Sequence, residues 1–132
     1  DEIYATLDLA LVDLRDGASR FLKIGAAPTF LRRGDRVSVI RAGTLPMGVL
    51  SEPDVQVTRR VLQRGDVVVM LTDGVLQAWD AVAAGEDWVK GFLANLERTE
   101  PRYVAGQLLR EAMRRSGDQV RDDMTVMVLK TL

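Results

Sequence analysis

The stretch Val67-Val68-Val69-Met70-Leu71-Thr72-Asp73-Gly74-Val75 decides how the chain is read. Five consecutive apolar residues, three of them β-branched, predict a strand buried on both faces, and Gly65-Asp66 marks the turn before it. Asp73 stands where that strand ends. A carboxylate carried to the rim of a sheet by a rigid strand, with a glycine behind it that lets backbone or ligand approach, has the geometry of a metal or catalytic site. Asp73 has an equal claim as the cap of a helix beginning at Val75. A second acidic strand end follows at Arg121-Asp122-Asp123-Met124-Thr125-Val126-Met127-Val128-Leu129, where paired carboxylates precede another apolar run.

The composition narrows the chemistry. A chain of 132 residues, 47% of them hydrophobic, can bury a core and fits one domain or part of one. Its 18 basic and 19 acidic residues nearly cancel and are dispersed, which argues against a nucleic-acid surface or a polybasic membrane anchor. Cysteine is absent, so disulfides, thiolate metal sites and a cysteine nucleophile are excluded, and a reducing, cytoplasmic compartment is expected. Histidine is absent too, which removes serine–histidine triads and imidazole ligands and leaves carboxylates as the candidates for metal-dependent chemistry. No apolar run approaches the ~20 residues that span a bilayer.

From the N-terminal end, residues 3–14 alternate, with Ile3, Ala5, Leu7, Leu9 and Leu11 on one side and Tyr4, Thr6, Asp8 and Ala10 on the other. That is strand periodicity. Arg15-Asp16-Gly17-Ala18 predicts a hairpin turn and residues 19–26 the returning strand. A second hairpin is expected from residues 29–33 and 37–40 around Gly34-Asp35; the Arg-Gly-Asp tripeptides at 33–35 and 64–66 are turn chemistry, not adhesion signals. Residues 41–54, with Gly43, Pro46, Gly48 and Pro53, predict a long loop, and residues 55–62 another strand. Beyond Asp73, residues 75–79 are too short to assign and 81–85 read as irregular. A helix is predicted over 86–97, with Trp88, Val89, Phe92, Leu93 and Leu96 on one face. Thr99-Glu100-Pro101 opens a second helix with Thr99 as the cap; it carries Val104, Ala105, Leu108, Leu109, Ala112 and Met113 inward and stops near Gly117. Residues 124–132 close the chain as a strand. Six or seven strands followed by two helices predict an α+β domain of antiparallel sheets covered by helices. Two acidic strand ends suggest a hard-cation site for Mg2+ or Mn2+, and such metals activate water without a side-chain nucleophile.

Several segments recur together in a recognisable order: Asp1-Glu2-Ile3-Tyr4-Ala5-Thr6-Leu7-Asp8-Leu9, Phe21-Leu22-Lys23-Ile24-Gly25, Leu45-Pro46-Met47-Gly48-Val49, Gly65-Asp66-Val67 through Val75, and Asp122-Asp123-Met124-Thr125-Val126. Across essentially all 132 residues the chain resembles the phosphatase domain of the stage II sporulation protein E family, a bacterial branch of the type 2C metal-dependent serine/threonine phosphatases. The resemblance implies an antiparallel β-sandwich flanked by helices in four α-β-β-α layers. It implies two Mn2+ or Mg2+ ions at one end of the sandwich, with Asp73 and Asp122 as metal ligands and metal-bound water as the nucleophile. Asp123 would orient Asp122 or its loop, and Gly74 would serve a tight turn beside the ligands.

The family's earlier Asp-Gly motif and upstream acidic ligand are not in this sequence. The expectation is therefore the C-terminal part of a single phosphatase domain, with an incomplete centre, weak metal binding and little activity by itself, and with exposed sheet edges or core that favour a homodimer. The implied substrate is a phosphorylated protein, an anti-sigma-factor antagonist in sporulation control; the full-length parent is expected to be membrane-anchored through an N-terminal region. Two other readings remain at this stage: a catalytically inactive phosphatase-like regulatory or protein-binding module, and a β-rich binding domain whose acidic turns are structural.

Overall fold

The computed structural model describes residues 3–41, 43, 45–49, 51–52 and 55–132. Among them run, in order, β1 (Leu7–Val12), β2 (Ala18–Ile24), β3 (Thr29–Arg33), β4 (Arg36–Ile40), β5 (Gln56–Val61), β6 (Val67–Leu71), α1 (Asp73–Leu76), α2 (Val82–Ala94), α3 (Pro101–Ser116) and β7 (Val126–Lys130). Every strand pairing is antiparallel. One sheet has the order β1-β2-β5 and the other β4-β3-β6-β7. The fold is α+β, as its sequence predicts.

The apolar run in β6 follows from its position between two cores. Val67, Val69 and Leu71 pack with Phe30 against Val89, Leu93, Val104 and Leu108 of the helices. Val68 and Met70 point the other way, into a cluster with Phe21, Leu31, Ile40 and Leu62 between the sheets. A strand covered on both faces has no place for polar residues. The described residues thus build three of the four expected layers: sheet, sheet and helices. In β1 the alternation is present but the leucines face outward; Leu7, Leu9 and Leu11 are exposed, while Asp8, Ala10 and Val12 turn inward.

Several boundaries differ from the expectations. Helix α2 begins at Val82, inside the stretch expected to be irregular, and ends at Ala94 rather than near 97. Gly85 explains the early start, since a Cβ there would lie 3.0 Å from the Leu76 carbonyl oxygen and 3.2 Å from the Trp79 ring. Glycine lets α2 lie against α1, and that packing outweighs its poor helix propensity. Thr99 does not cap α3. The cap position is Glu100, without a side-chain cap bond, and the Thr99 hydroxyl instead accepts a hydrogen bond from Lys130 Nζ at 2.8 Å. Met113, expected inside, is exposed, because the buried line of α3 runs through Val104, Leu108 and Ala112 and Met113 lies one residue, about 100°, round from it. The closing strand is confined to β7, shorter than residues 124–132. Of the predicted loop at 41–54, residues 42, 44, 50, 53 and 54 lie outside the described residues. Its Arg41 forms a bidentate ion pair with Glu86 at 2.8 and 2.6 Å, and Met47 pairs with Ala5 through two backbone hydrogen bonds.

Candidate metal centre

Strand β6 delivers Asp73 and the segment before β7 delivers Asp122, and Thr72 ties the two together. The Thr72 N–H donates to the Thr125 carbonyl at 3.1 Å, its hydroxyl donates to the Asp123 carbonyl at 3.1 Å, and the same oxygen accepts from the Thr125 N–H at 2.9 Å. Gly74 completes the junction. A Cβ at this position would stand 2.2 Å from the Asp123 carbonyl oxygen and 3.0 Å from that of Asp122. Gly74 is helical in α1 and is not among the glycines with positive φ, so close approach, not a tight turn, requires glycine there.

The Asp73 side chain does not cap its helix. It is the first residue of α1, the cap position belongs to Thr72 without a side-chain cap bond, and the Asp73 carboxylate takes no hydrogen bond from any described residue. Asp122 Oδ1 accepts the Asp123 N–H at 2.8 Å, which fixes the orientation of one carboxylate through the backbone of the next residue. The two aspartates and Asp123 line one cleft of about 310 Å³ together with Thr6, Asp8, Ala26, Ala27, Leu71 and Thr72.

Asp8 is the acidic residue that the sequence reading did not assign to the site. It arrives from the opposite sheet, paired in register with Lys23, whose Nζ donates to Asp8 Oδ2 at 2.8 Å and to the Ala27 carbonyl at 2.7 Å. The available signal was the hairpin itself: counting back from the Asp16-Gly17 turn sets Asp8 opposite Lys23. Burial pulls the Lys23 pKa below that of an ordinary lysine, against the hydrogen bond and charge of Asp8, which push it up. A larger open hollow of about 770 Å³ lies elsewhere, over Leu11, Arg20, Arg59 and Val61; its one carboxylate, Asp13, is tied to Arg15 at 2.7 Å. Volume therefore does not locate the chemistry here.

The cleft fits a hard divalent cation in kind. Carboxylate oxygens suit Mn2+ or Mg2+, and Asp8 Oδ1 is buried with no hydrogen-bond partner. In number the donors fall short, since among the described residues no three acidic side chains stand close enough to hold one ion.

A family model described as "Stage II sporulation protein E (SpoIIE)" matches residues 1–132. The chain belongs to the stage II sporulation protein E family. It is 39% identical over 130 residues to stage II sporulation protein E of Bacillus subtilis (strain 168), a match covering 98% of this chain and 16% of that protein. The structure of the PP2C phosphatase domain and a fragment of the regulatory domain of SpoIIE from Bacillus subtilis superposes with a TM-score of 0.86 at 39% identity, covering 98% of this chain and 39% of that one. The manganese-presoaked SpoIIE phosphatase domain gives a TM-score of 0.82 at 37% identity, covering 96% of this chain and 56% of that one. The chain thus has the fold of the SpoIIE serine/threonine phosphatase domain and spans under a fifth of the Bacillus subtilis relative and a little over half of the manganese-presoaked domain.

Proposed function

We propose that this chain is the C-terminal part of a metal-dependent protein phosphatase domain that removes phosphate from phosphoserine or phosphothreonine on a protein. One observation carries the reading: the ends of β6 and β7 place Asp73 and Asp122 on one cleft, clamped by Thr72, in a fold shared with the SpoIIE phosphatase domain. Asp73 and Asp122 would hold Mn2+ or Mg2+, two ions in the complete centre, and bound cations supply Lewis acidity toward phosphoryl oxygens and acidify water. The chain's residues supply the setting. Asp73 is free to ligate, Asp122 is oriented through the Asp123 backbone, and Leu71, Ala26 and Ala27 form the apolar wall. Hydrolysis moves the phosphoryl group from the serine oxygen to water, and the serine oxygen leaves with a proton. The absence of histidine and cysteine fits chemistry that needs neither as nucleophile or base.

The proposed substrate is a phosphorylated anti-sigma-factor antagonist, in keeping with the sporulation relatives, and the proposed compartment is the cytoplasm. The chain by itself is proposed to self-associate as a homodimer through the exposed leucines and valines of the β1-β2-β5 sheet.

The test is calorimetric titration of Mn2+ into this chain and into one extended upstream by about a hundred residues, a typical remainder of a domain, with a phosphoserine-protein assay on both. The extended chain is expected to bind and turn over, this chain to bind weakly with little turnover, and Asp73→Asn or Asp122→Asn to abolish both properties in the extended form. Failure of both forms to bind Mn2+ would overturn the reading in favour of a phosphatase-like binding module.

A further inference from the structure

Along the inner face of the β1–β2 hairpin three cross-strand pairs alternate: Val12 with Ser19, Ala10 with Phe21, and Asp8 with Lys23. The first two lie toward the inter-sheet core. The third is an ion pair at the cleft, and its lysine side chain is only 2% exposed. Desolvating an ammonium is costly, and a well-packed apolar pair at such positions is often as stable or more so. Structure accounts for part of the arrangement, because the second hydrogen bond of Lys23 ties down the Ala27 carbonyl between β2 and β3.

Structure does not account for Asp8. An ionised carboxylate accepts about four hydrogen bonds, yet Oδ2 receives the one from Lys23 and the buried Oδ1 receives none. The remaining surroundings are the cleft, which Asp8 lines beside Thr6, Thr72, Asp73 and Asp122. Joint direct ligation with Asp73 and Asp122 is not what the spacing offers, since no three acidic side chains among the described residues stand close enough to share an ion. Donors one layer further out, the waters around a cation, match what the carboxylate lacks.

Resting on the phosphatase reading, we propose that Asp8, fixed by Lys23, is a positioning residue of the centre, accepting a hydrogen bond from the water shell of a divalent cation held by Asp73 and Asp122. Lys23 sets the carboxylate's orientation through its hydrogen bond to Oδ2; Asp8 orients the water. Loss of such an outer partner typically lowers metal affinity about 10–100-fold.

The test uses the full-length protein that carries this chain, as wild type, Asp8→Asn, the apolar double variant Asp8→Leu/Lys23→Met, and Asp73→Asn. Four quantities are read: Mn2+ affinity by calorimetry, water-proton relaxation by bound Mn2+, the metal-free melting midpoint, and kcat and KM on a phosphoserine protein. Asp8→Asn is expected to weaken Mn2+ binding about 10–100-fold, alter the relaxation enhancement and lower kcat more than it raises KM. The double variant is expected to keep the metal-free midpoint and show the same metal defect; if it does not fold, the isosteric Asp8→Asn decides. Wild-type affinity and relaxation in the Asp8 variants, with binding lost in Asp73→Asn, would overturn this inference alone. No Mn2+ binding by the wild type, or equal binding by Asp73→Asn, would overturn the phosphatase reading and this inference with it.

Discussion

Gly74 shows how much of the site rests on a single missing methyl group. The Asp122-Asp123 backbone passes so close that any Cβ at 74 would sit 2.2 Å from the Asp123 carbonyl oxygen. The obstacle is backbone tied to Thr72 and cannot swing aside as a flexible side chain would. Gly74→Ala is therefore expected to push the acidic segment outward, to destabilise the fold by about 1–3 kcal/mol and to weaken Mn2+ binding; urea denaturation and calorimetry on the extended chain measure both. Thr72→Val tests the clamp from the other side, removing two hydrogen bonds at roughly 1–2 kcal/mol in total. Asp73 was legible in the sequence because a strand end is a local pattern. The reason for Gly74 was not, because the atom that demands glycine lies in a segment some fifty residues further along the chain. Asp8 escaped for the same reason: its pairing follows from the hairpin, but its place on the cleft depends on how two sheets stack.

At the scale of elements, the strands were legible and the helix ends less so. Each hairpin carries its turn glycine and its alternation in one short window, whereas α2 starts early because of contacts with α1 that no periodicity records. The C-terminal turn of α3 carries charge chemistry that is local. Glu111 accepts hydrogen bonds from Arg114 at 2.7 Å and Arg115 at 2.8 Å. The Arg114 hydrogen bond holds its pKa down from 4.5 to about 2, with burial opposing and Arg115 adding to the effect. A carboxylate depressed in the folded state contributes stability that is present above its unfolded pKa and lost as pH falls through the folded one. The window runs from about 4.5 down to about 2. The full shift would correspond to ~3 kcal/mol, but both arginines face solvent and screening reduces this to about 1 kcal/mol. Glu111→Gln is expected to lose about that much at pH 7 and almost nothing near pH 2, with the loss shrinking in 1 M salt. Urea denaturation at the two pH values and two salt concentrations reads it.

Over the whole molecule, the two sheets are treated unequally. The four-stranded sheet is covered on one face by helices and on the other by its partner sheet. The three-stranded sheet presents Leu7, Leu9 and Leu11 of β1 and Val57 and Val61 of β5 to solvent. The register puts Leu9 opposite Leu22 and Leu22 opposite Val57, so these three side chains form one apolar row with Leu7 beside it, while Leu11, Arg20 and Arg59 make up the next row and separate it from Val61. Surfaces of this kind mark association sites, and non-directional apolar burial drives their pairing. This chain is expected to sediment as a dimer at micromolar concentration, strengthened by salt that screens Arg20 and Arg59 on the same face. Leu9→Glu or Val57→Lys is expected to give a monomer with an unchanged circular dichroism spectrum, because neither side chain is in the buried core. A variant at Met127, exposed on β7 of the other sheet, is expected to leave the dimer intact. A wild-type chain that stays monomeric across the concentration range would show that the apolar face does not self-associate; a dimer broken at Met127 instead would move the interface to the four-stranded sheet.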